Sequence, residues 1–270
     1  MKLYLEGIGL CAGGLPNWLE GREVLAGRAP YRESEIAMAA SALLPPAERR
    51  RTTDTVKLAM TVGAEAIAHA GLLAENVPSV FTSSGGDGKT ITAILEVLAL
   101  PQREVSPTRF HNSVHNAPAG YWSIATGCRE ASTSICAYDF SFAAGLLEAA
   151  TRALTEQCPI LLAAYDVPYP PALAACRQIA APFGAALVLS PHRTANTLAD
   201  LSIELRTKLG QETILTDPVI EALRVGVPAA RALTLLSAVA RGGEQDVIIA
   251  HVADNGLAIH VTPATDLDGK

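Results

Sequence analysis

Three stretches of this 270-residue sequence carry side chains able to do chemistry. The first is STSICAYDFSFAAGLLEA, residues 132–149. Small residues with strand character run into a helix through a turn of small and polar groups. Such a turn presents a side chain at a helix N-terminus, where free N–H groups and the helix dipole stabilise an anion. A cysteine there has a depressed pKa and acts as a nucleophile, and Cys136 stands next to that place. The alternative is a buried, inert thiol in a strand. Cys11, Cys128, Cys158 and Cys176 carry no pairing signal, and five cysteines in a chain this long make no disulfide framework.

The second stretch is SSGGDGKT, residues 83–90, between a strand and a helix. It is nearly a phosphate-binding loop, with ILLAAYD (160–166) as a candidate partner strand. Yet Ser83 stands where the motif needs Gly, and Asp87 puts a carboxylate where phosphate charge would sit. A glycine-rich turn packed closely against its neighbours is the simpler reading, with a P-loop-like nucleotide-binding protein as the alternative. The third stretch is FHNSVHNAPAGYWSIATG, residues 110–127. His111 and His115 are four apart, the spacing of two ligands on one helix face. Pro107 and Pro118 bracket them, Asn112 and Asn116 favour turns, and no third ligand is evident. Hydrogen bonding in a turn or at a subunit interface is therefore expected, with no metal and no cofactor.

The elements that must position these groups alternate between strand and helix. Strands are expected at 3–10, 78–84, 131–137, 160–165, 184–189 and 200–206. Helices are expected at 35–44, 55–71, 90–99 and 139–156. In 55–71 the residues Val56, Ala59, Met60, Gly63, Ala64 and Ile67 recur at threes and fours, after Thr53 and Asp54 as N-caps and before Gly71 as C-cap. Asp254-Asn255-Gly256 between 246–252 and 257–261 signals a hairpin. This order predicts an α/β fold with a mixed sheet. The loop at 207–217 is the one candidate boundary. A hydrophobic share of 49% supports a sizeable core. The net charge of −6 and 5% aromatic content argue against a nucleic-acid partner. The run Glu48-Arg49-Arg50-Arg51 reads as a solvated loop. Glu6 and several glycines make the N-terminus a poor signal peptide, and no apolar run is long enough for a membrane span, so a cytoplasmic setting is expected.

The stretches VPSVFTSSGG, SPTRFHNSVHNAPAGYWSIATG and STSICAYDFSFAAGLLEA together resemble the N-terminal half of β-ketoacyl synthases, the condensing enzymes of the thiolase-like fold. LPPAERRRTTDTVKLAMTVGAEAIAHAGL resembles an early helix of that family, and APFGAALVLS the strand near the end of that half. The resemblance implies a thiolase-like layered α/β fold with a mixed sheet, residues 1–190 forming the ketosynthase-like half. Residues 191–270 would be a strongly reduced C-terminal part ending in a β-hairpin.

In the family a cysteine takes an acyl chain from acyl carrier protein, two histidines assist decarboxylation, and backbone N–H groups form an oxyanion hole. The family motif has Gly eight residues after the nucleophile. Counting back from Gly145 gives Ala137, a methyl group, and leaves Cys136 one place early. His192, His251 and His260 lack the family's histidine contexts. A condensing fold without nucleophile or histidine pair resembles the chain-length-factor subunits of type II polyketide systems, most closely the aryl polyene type. The resemblance implies a heterodimer with an active β-ketoacyl synthase, acyl carrier protein served through the complex, and a homodimer when alone. Tyr138, Phe140 and Phe142 are candidates for an acyl tunnel. Phe110, His111, His115, Asn116, Tyr121, Trp122 and Ser134 are candidates for the interface. A compact active synthase using Cys136 is the alternative.

Overall fold

A strand covered on both faces reads as an unbroken apolar run, and ILLAAYD and FGAALVLS are buried along their whole length. A strand covered on one face alternates, as ADLSIELR does with its outward Ser202 and Glu204. The computed structural model describes residues 1–36, 38, 42–208 and 210–264. In chain order these form strand β1 (Lys2–Ala12), helices α1 (Trp18–Leu25), α2 (Pro46–Arg49) and α3 (Asp54–Ala70), and strand β2 (Ser79–Thr82). Helices α4 (Gly88–Leu98), α5 (Pro107–Asn112) and α6 (Ala117–Thr126) follow, then strand β3 (Ser132–Ile135), helix α7 (Ser141–Glu156) and strand β4 (Ile160–Asp166). The remainder is helix α8 (Pro171–Ala174), strands β5 (Phe183–Ser190) and β6 (Ala199–Arg206), helices α9 (Pro218–Gly226) and α10 (Leu233–Arg241), and strands β7 (Gln245–Ala250) and β8 (Gly256–Pro263).

All eight strands join one mixed sheet in the order β3-β2-β4-β5-β1-β6-β8-β7. β2 pairs in parallel with both β3 and β4, and the other pairings are antiparallel. Side chains of β4 alternate between two cores. Leu161, Ala163 and Tyr165 pack with Met60, Phe81 and Trp122 under α3 and α6. Leu162 and Ala164 pack with Phe142, Leu146 and Leu233 under α7 and α10.

Helix α3 has the caps expected from its sequence: Thr53 Oγ1 accepts from Val56 N, and Gly71 adopts the left-handed C-cap conformation at φ 68°. Its backbone lies directly on β1, because a Cβ at Gly9 would overlap the Val62 carbonyl. Glu6, on the same strand, is buried at a β-bulge and accepts hydroxyl bonds from Thr194 and Thr197. The helix expected at 35–44 falls partly on residues 37 and 39–41, which lie outside the described residues.

The turn expected around His111 and His115 is confined to residues 113–116, and helices α5 and α6 flank it. Pro107 and Pro118 sit in the first turns of these helices, where a missing N–H costs nothing. Residues 138–140 form a 3₁₀ turn ahead of α7 rather than its first turn. Around the boundary expected at 207–217, Glu212 binds Arg224 of α9 and Arg231, tying that loop to the helices that follow. Residues 228–232 and α10 pack into the core under the sheet.

The two sheet edges differ. Thr213 covers β7, accepting from Ile248 N at 2.9 Å through its hydroxyl and donating its N–H to Ile248 O at 3.0 Å. Among the described residues no backbone hydrogen bond reaches the outer side of β3.

Gly9→Ala is expected to lower stability by at least about 2 kcal/mol, since backbone must move to admit the methyl. Gly120→Ala, at an exposed α6 position with open space around it, is expected to raise it by about 1 kcal/mol. Urea unfolding midpoints of the two variants check the pair.

Candidate functional site

The parallel strands β2, β3 and β4 end on the same side of the sheet, the side where open α/β sheets place their sites. Asp166, the last residue of β4, is fully buried there. Its Oδ1 accepts from Ser83 Oγ at 3.0 Å, Ser84 N at 2.8 Å and Ser84 Oγ at 2.8 Å. Its Oδ2 accepts from Ala229 N at 2.9 Å. Burial pushes the Asp166 carboxyl above its ordinary value, and the bonds from Ser84, Ala229 and Ser83 pull the other way. One carboxylate thus joins the exit of β2 to the segment that precedes α10.

The turn 83–88 holds its own charges. Asp87 Oδ1 caps α4 by accepting from Thr90 N at 2.8 Å, in the place a phosphate would take. Lys89 Nζ is bound to Asp54 Oδ2 at 2.6 Å, and the Tyr169 ring lies against Gly85 and Gly88. This is a closely packed glycine turn whose charges are already paired within the chain.

Cys136 follows the last residue of β3, and its exposed thiol donates to Ser84 O at 3.2 Å. The 3₁₀ turn separates it from α7. Ala137 is half-buried, and its N–H donates to Ser141 Oγ at 3.0 Å in the first turn of α7. Gly145 lets α7 press on β2, where an added Cβ would meet Thr82 Cγ2 at 2.8 Å. Tyr138 has φ 54°, the left-handed region. Its ring carries the Arg177 guanidinium 3.3 Å from its centroid, and Arg177 also binds Asp139 at 2.7 Å. Of the tunnel candidates, Phe142 is buried in the core, Phe140 is half-buried and Tyr138 is exposed.

Of the six histidines, only His115 bonds to this turn, its Nε2 lying 3.1 Å from Ser83 O. His111, in the last turn of α5, meets the Tyr121 ring edge-on. His115 lies beyond that helix, so the two do not share a helix face. His192 follows β5 at the opposite end of the sheet, because β5 runs antiparallel to β4. His251 and His260 belong to the β7–β8 edge, six or seven strand spacings from β3, or about 30 Å. Among the described residues no group of three His, Cys, Asp or Glu side chains is placed to hold a metal.

The interface candidates divide into two groups. Phe110, His111 and Asn116 are exposed, and His115 and Ser134 are half-buried. Tyr121 and Trp122 are enclosed in the chain's own core, where Tyr121 donates to Asn112 Oδ1 and the Trp122 indole N–H has no partner. Sequence reasoning missed Asp166, Tyr169 and Arg177 as groups that build this region. The signal that existed was a lone Asp ending an apolar run.

The family pattern described as "Beta-ketoacyl synthase, N-terminal domain" matches residues 23–227. No curated protein matches the chain. Among solved structures it is similar to the ketosynthase ApeO in complex with its chain length factor ApeC from Xenorhabdus doucetiae. That likeness has a TM-score of 0.72 and 20% identity and covers 96% of this chain and 99% of that one. It is also similar to the ishigamide ketosynthase/chain length factor, with a TM-score of 0.72 and 12% identity, covering 98% and 100%. A β-ketoacyl synthase from Burkholderia phymatum STM815 aligns with a TM-score of 0.61 and 16% identity, over 85% of this chain and 70% of that one. These likenesses give the fold: a thiolase-like layered α/β arrangement on a mixed sheet. Among the described residues no helix is long and apolar enough to cross a membrane.

Asp166→Asn replaces one buried acceptor by a donor that must face Ala229 N–H or the serine donors. A loss of about 2–3 kcal/mol is expected, read from the urea midpoint. A midpoint equal to that of the parent would show that these donors are satisfied in another way.

Proposed function

The chain belongs to the β-ketoacyl synthase family, and on that premise we propose that it is a catalytically silent, chain-length-factor-like subunit. It pairs with an active β-ketoacyl synthase in polyketide or aryl polyene (fatty-acid-like) biosynthesis and shapes the acyl tunnel of that enzyme. The observation that carries this reading is the edge of β3, uncovered among the described residues. An open edge strand is a template for pairing with another chain, and the opposite edge is capped by Thr213. Large apolar side chains stand exposed in the segments that precede β3: Leu95, Leu98, Leu100, Phe110, Val114 and Ile124. A contact with another chain at this edge would take such side chains out of water. Phe110, His111, His115, Asn116 and Ser134 would contribute to the contact, with Tyr121 and Trp122 supporting α6 from inside.

Three observations support silence in condensation. The position eight residues before Gly145 is the methyl of Ala137. The Cys136 thiol is turned to the Ser84 carbonyl. The histidines after the motif lie at the far end or far edge of the sheet, beyond the reach of a proton transfer or a hydrogen bond to a substrate at this turn. The chain also aligns over nearly the whole of two chains from ketosynthase/chain length factor complexes, but over 70% of a synthase chain. Acyl carrier protein would be served through the pair, in the cytoplasm, and the chain alone would form a homodimer through β3.

Co-expression with the full-length ketosynthase encoded beside it is expected to yield a stoichiometric complex. Incubation with acyl carrier protein charged with an acyl group should leave the mass of this subunit unchanged. An acyl adduct on Cys136 would instead establish the active-synthase alternative. Alkylating reagents provide the control. They should label exposed Cys136 and Cys176 and spare Cys11, whose thiol burial pushes up to about 11.

Phe142→Ala and Phe142→Trp, assayed with the partner, are expected to lengthen and shorten the product respectively. Unchanged products would remove Phe142 from the tunnel.

A further inference from the structure

The turn after β3 contains an outlier that neither the core nor the motif explains. Tyr138 is a bulky residue held at φ 54°, a conformation that costs free energy unless its surroundings impose it. Burial does not offset this cost, because Tyr138 is 57% exposed. What holds the ring is a clamp from a distant segment. The Arg177 guanidinium sits 3.3 Å from the ring centroid and its NH2 group donates to Asp139 Oδ1 at 2.7 Å. The Arg177 side chain is only 14% exposed, and its Nε is buried without a partner. One face of Tyr138 is therefore closed by a planar cation locked in place, while more than half of the residue stays exposed. The result is an aromatic whose ordering entropy is lost before any partner arrives.

Its position gives this preorganisation a use. Tyr138 lies three residues beyond Ile135, where the uncovered edge strand ends. Helix α6, which carries exposed Ile124, packs against β3. Exposed aromatics held in one orientation are among the residues that dominate interface energetics.

We infer that Tyr138 is the anchor of the partner interface. Positioned by Arg177 and Asp139, its exposed ring packs against the ketosynthase subunit when β3 pairs with that subunit's edge strand. The inference rests on the pairing proposed above and adds the residue that carries its affinity. Arg177 and Asp139 are positioning residues.

The test uses the full chain and the ketosynthase with which it co-purifies. Tyr138→Gly removes the ring and suits the left-handed backbone, so strain relief offsets the lost stacking. The melting temperature of the chain alone should stay within about 3 °C of the parent. The dissociation constant for the ketosynthase should rise by about 30-fold or more. Tyr138→Phe should keep affinity within about 3-fold. Arg177→Met should weaken binding to an intermediate degree, because the ring is then free to rotate. A Tyr138→Gly dissociation constant within about 3-fold of the parent would overturn the anchor and leave the pairing intact. A parent chain that does not bind the ketosynthase would overturn both. Weakened self-association with an unchanged ketosynthase complex would assign the anchor to a second copy and overturn the inference as stated.

Discussion

The buried carboxylate of Asp166 is the point on which the carboxyl end of the sheet depends. Four donors from two segments converge on it: the hydroxyls of Ser83 and Ser84, the Ser84 N–H and the Ala229 N–H. A carboxylate out of water is tolerated only when its oxygens are satisfied, and these donors are satisfied only by it. The serines fix the path of the chain as it leaves β2. That path places the Ser84 carbonyl to receive the Cys136 thiol and the Ser83 carbonyl to receive the His115 ring. Ala229 brings the segment before α10 under the same strand end. The three turns that compose the candidate site thus share one electrostatic centre.

Around that centre the protein's own groups bind one another at the two helix mouths. At the mouth of α4 a carboxylate of the protein takes the position of a bound anion. At the mouth of α7 the turn offers a methyl, and the neighbouring thiol is engaged with a carbonyl. Among the described residues the margin of the sheet at β3 is open. Arg152 secures that margin from behind: its guanidinium donates to Ser79 O at 3.0 Å and to Ala131 O at 3.3 Å, tying β2 to the entry of β3 while Glu156 holds it in place. A four-residue edge strand is thereby rigid without being covered. An open edge of this kind is the feature on which the proposed pairing with another chain rests.

Much of the scaffold was legible in the residues. Helix α3 could be read from its apolar spacing, its Thr53 cap and its Gly71 stop, because all three signals are local. The buried strands β4 and β5 announced themselves as unbroken apolar runs between prolines. Helices α5 and α6 were not legible, because Pro107 and Pro118 serve equally as breakers and as first-turn residues, and only the packing of Tyr121 and Trp122 into the core selects the second role. Helices α9 and α10 were hidden in a similar way. The buried Arg224 between Glu212 and Glu221 stabilises that region through contacts that no periodicity displays.

The sequence by itself determined the α/β class, the resemblance to condensing enzymes, and the register that puts Ala137 eight residues before Gly145. The class follows from composition, alternation and spacing, which are properties of neighbours along the chain, and the register is what the family resemblance implies for the residues before Gly145. Tertiary structure alone decided that β7 is capped and β3 is bare, that His251 and His260 stand across the sheet from Cys136, and that Arg177 clamps Tyr138 from 39 positions away. The physical reason is that each of these depends on which distant segments meet, and strand order and crossover direction leave no periodic trace in the residues they bring together.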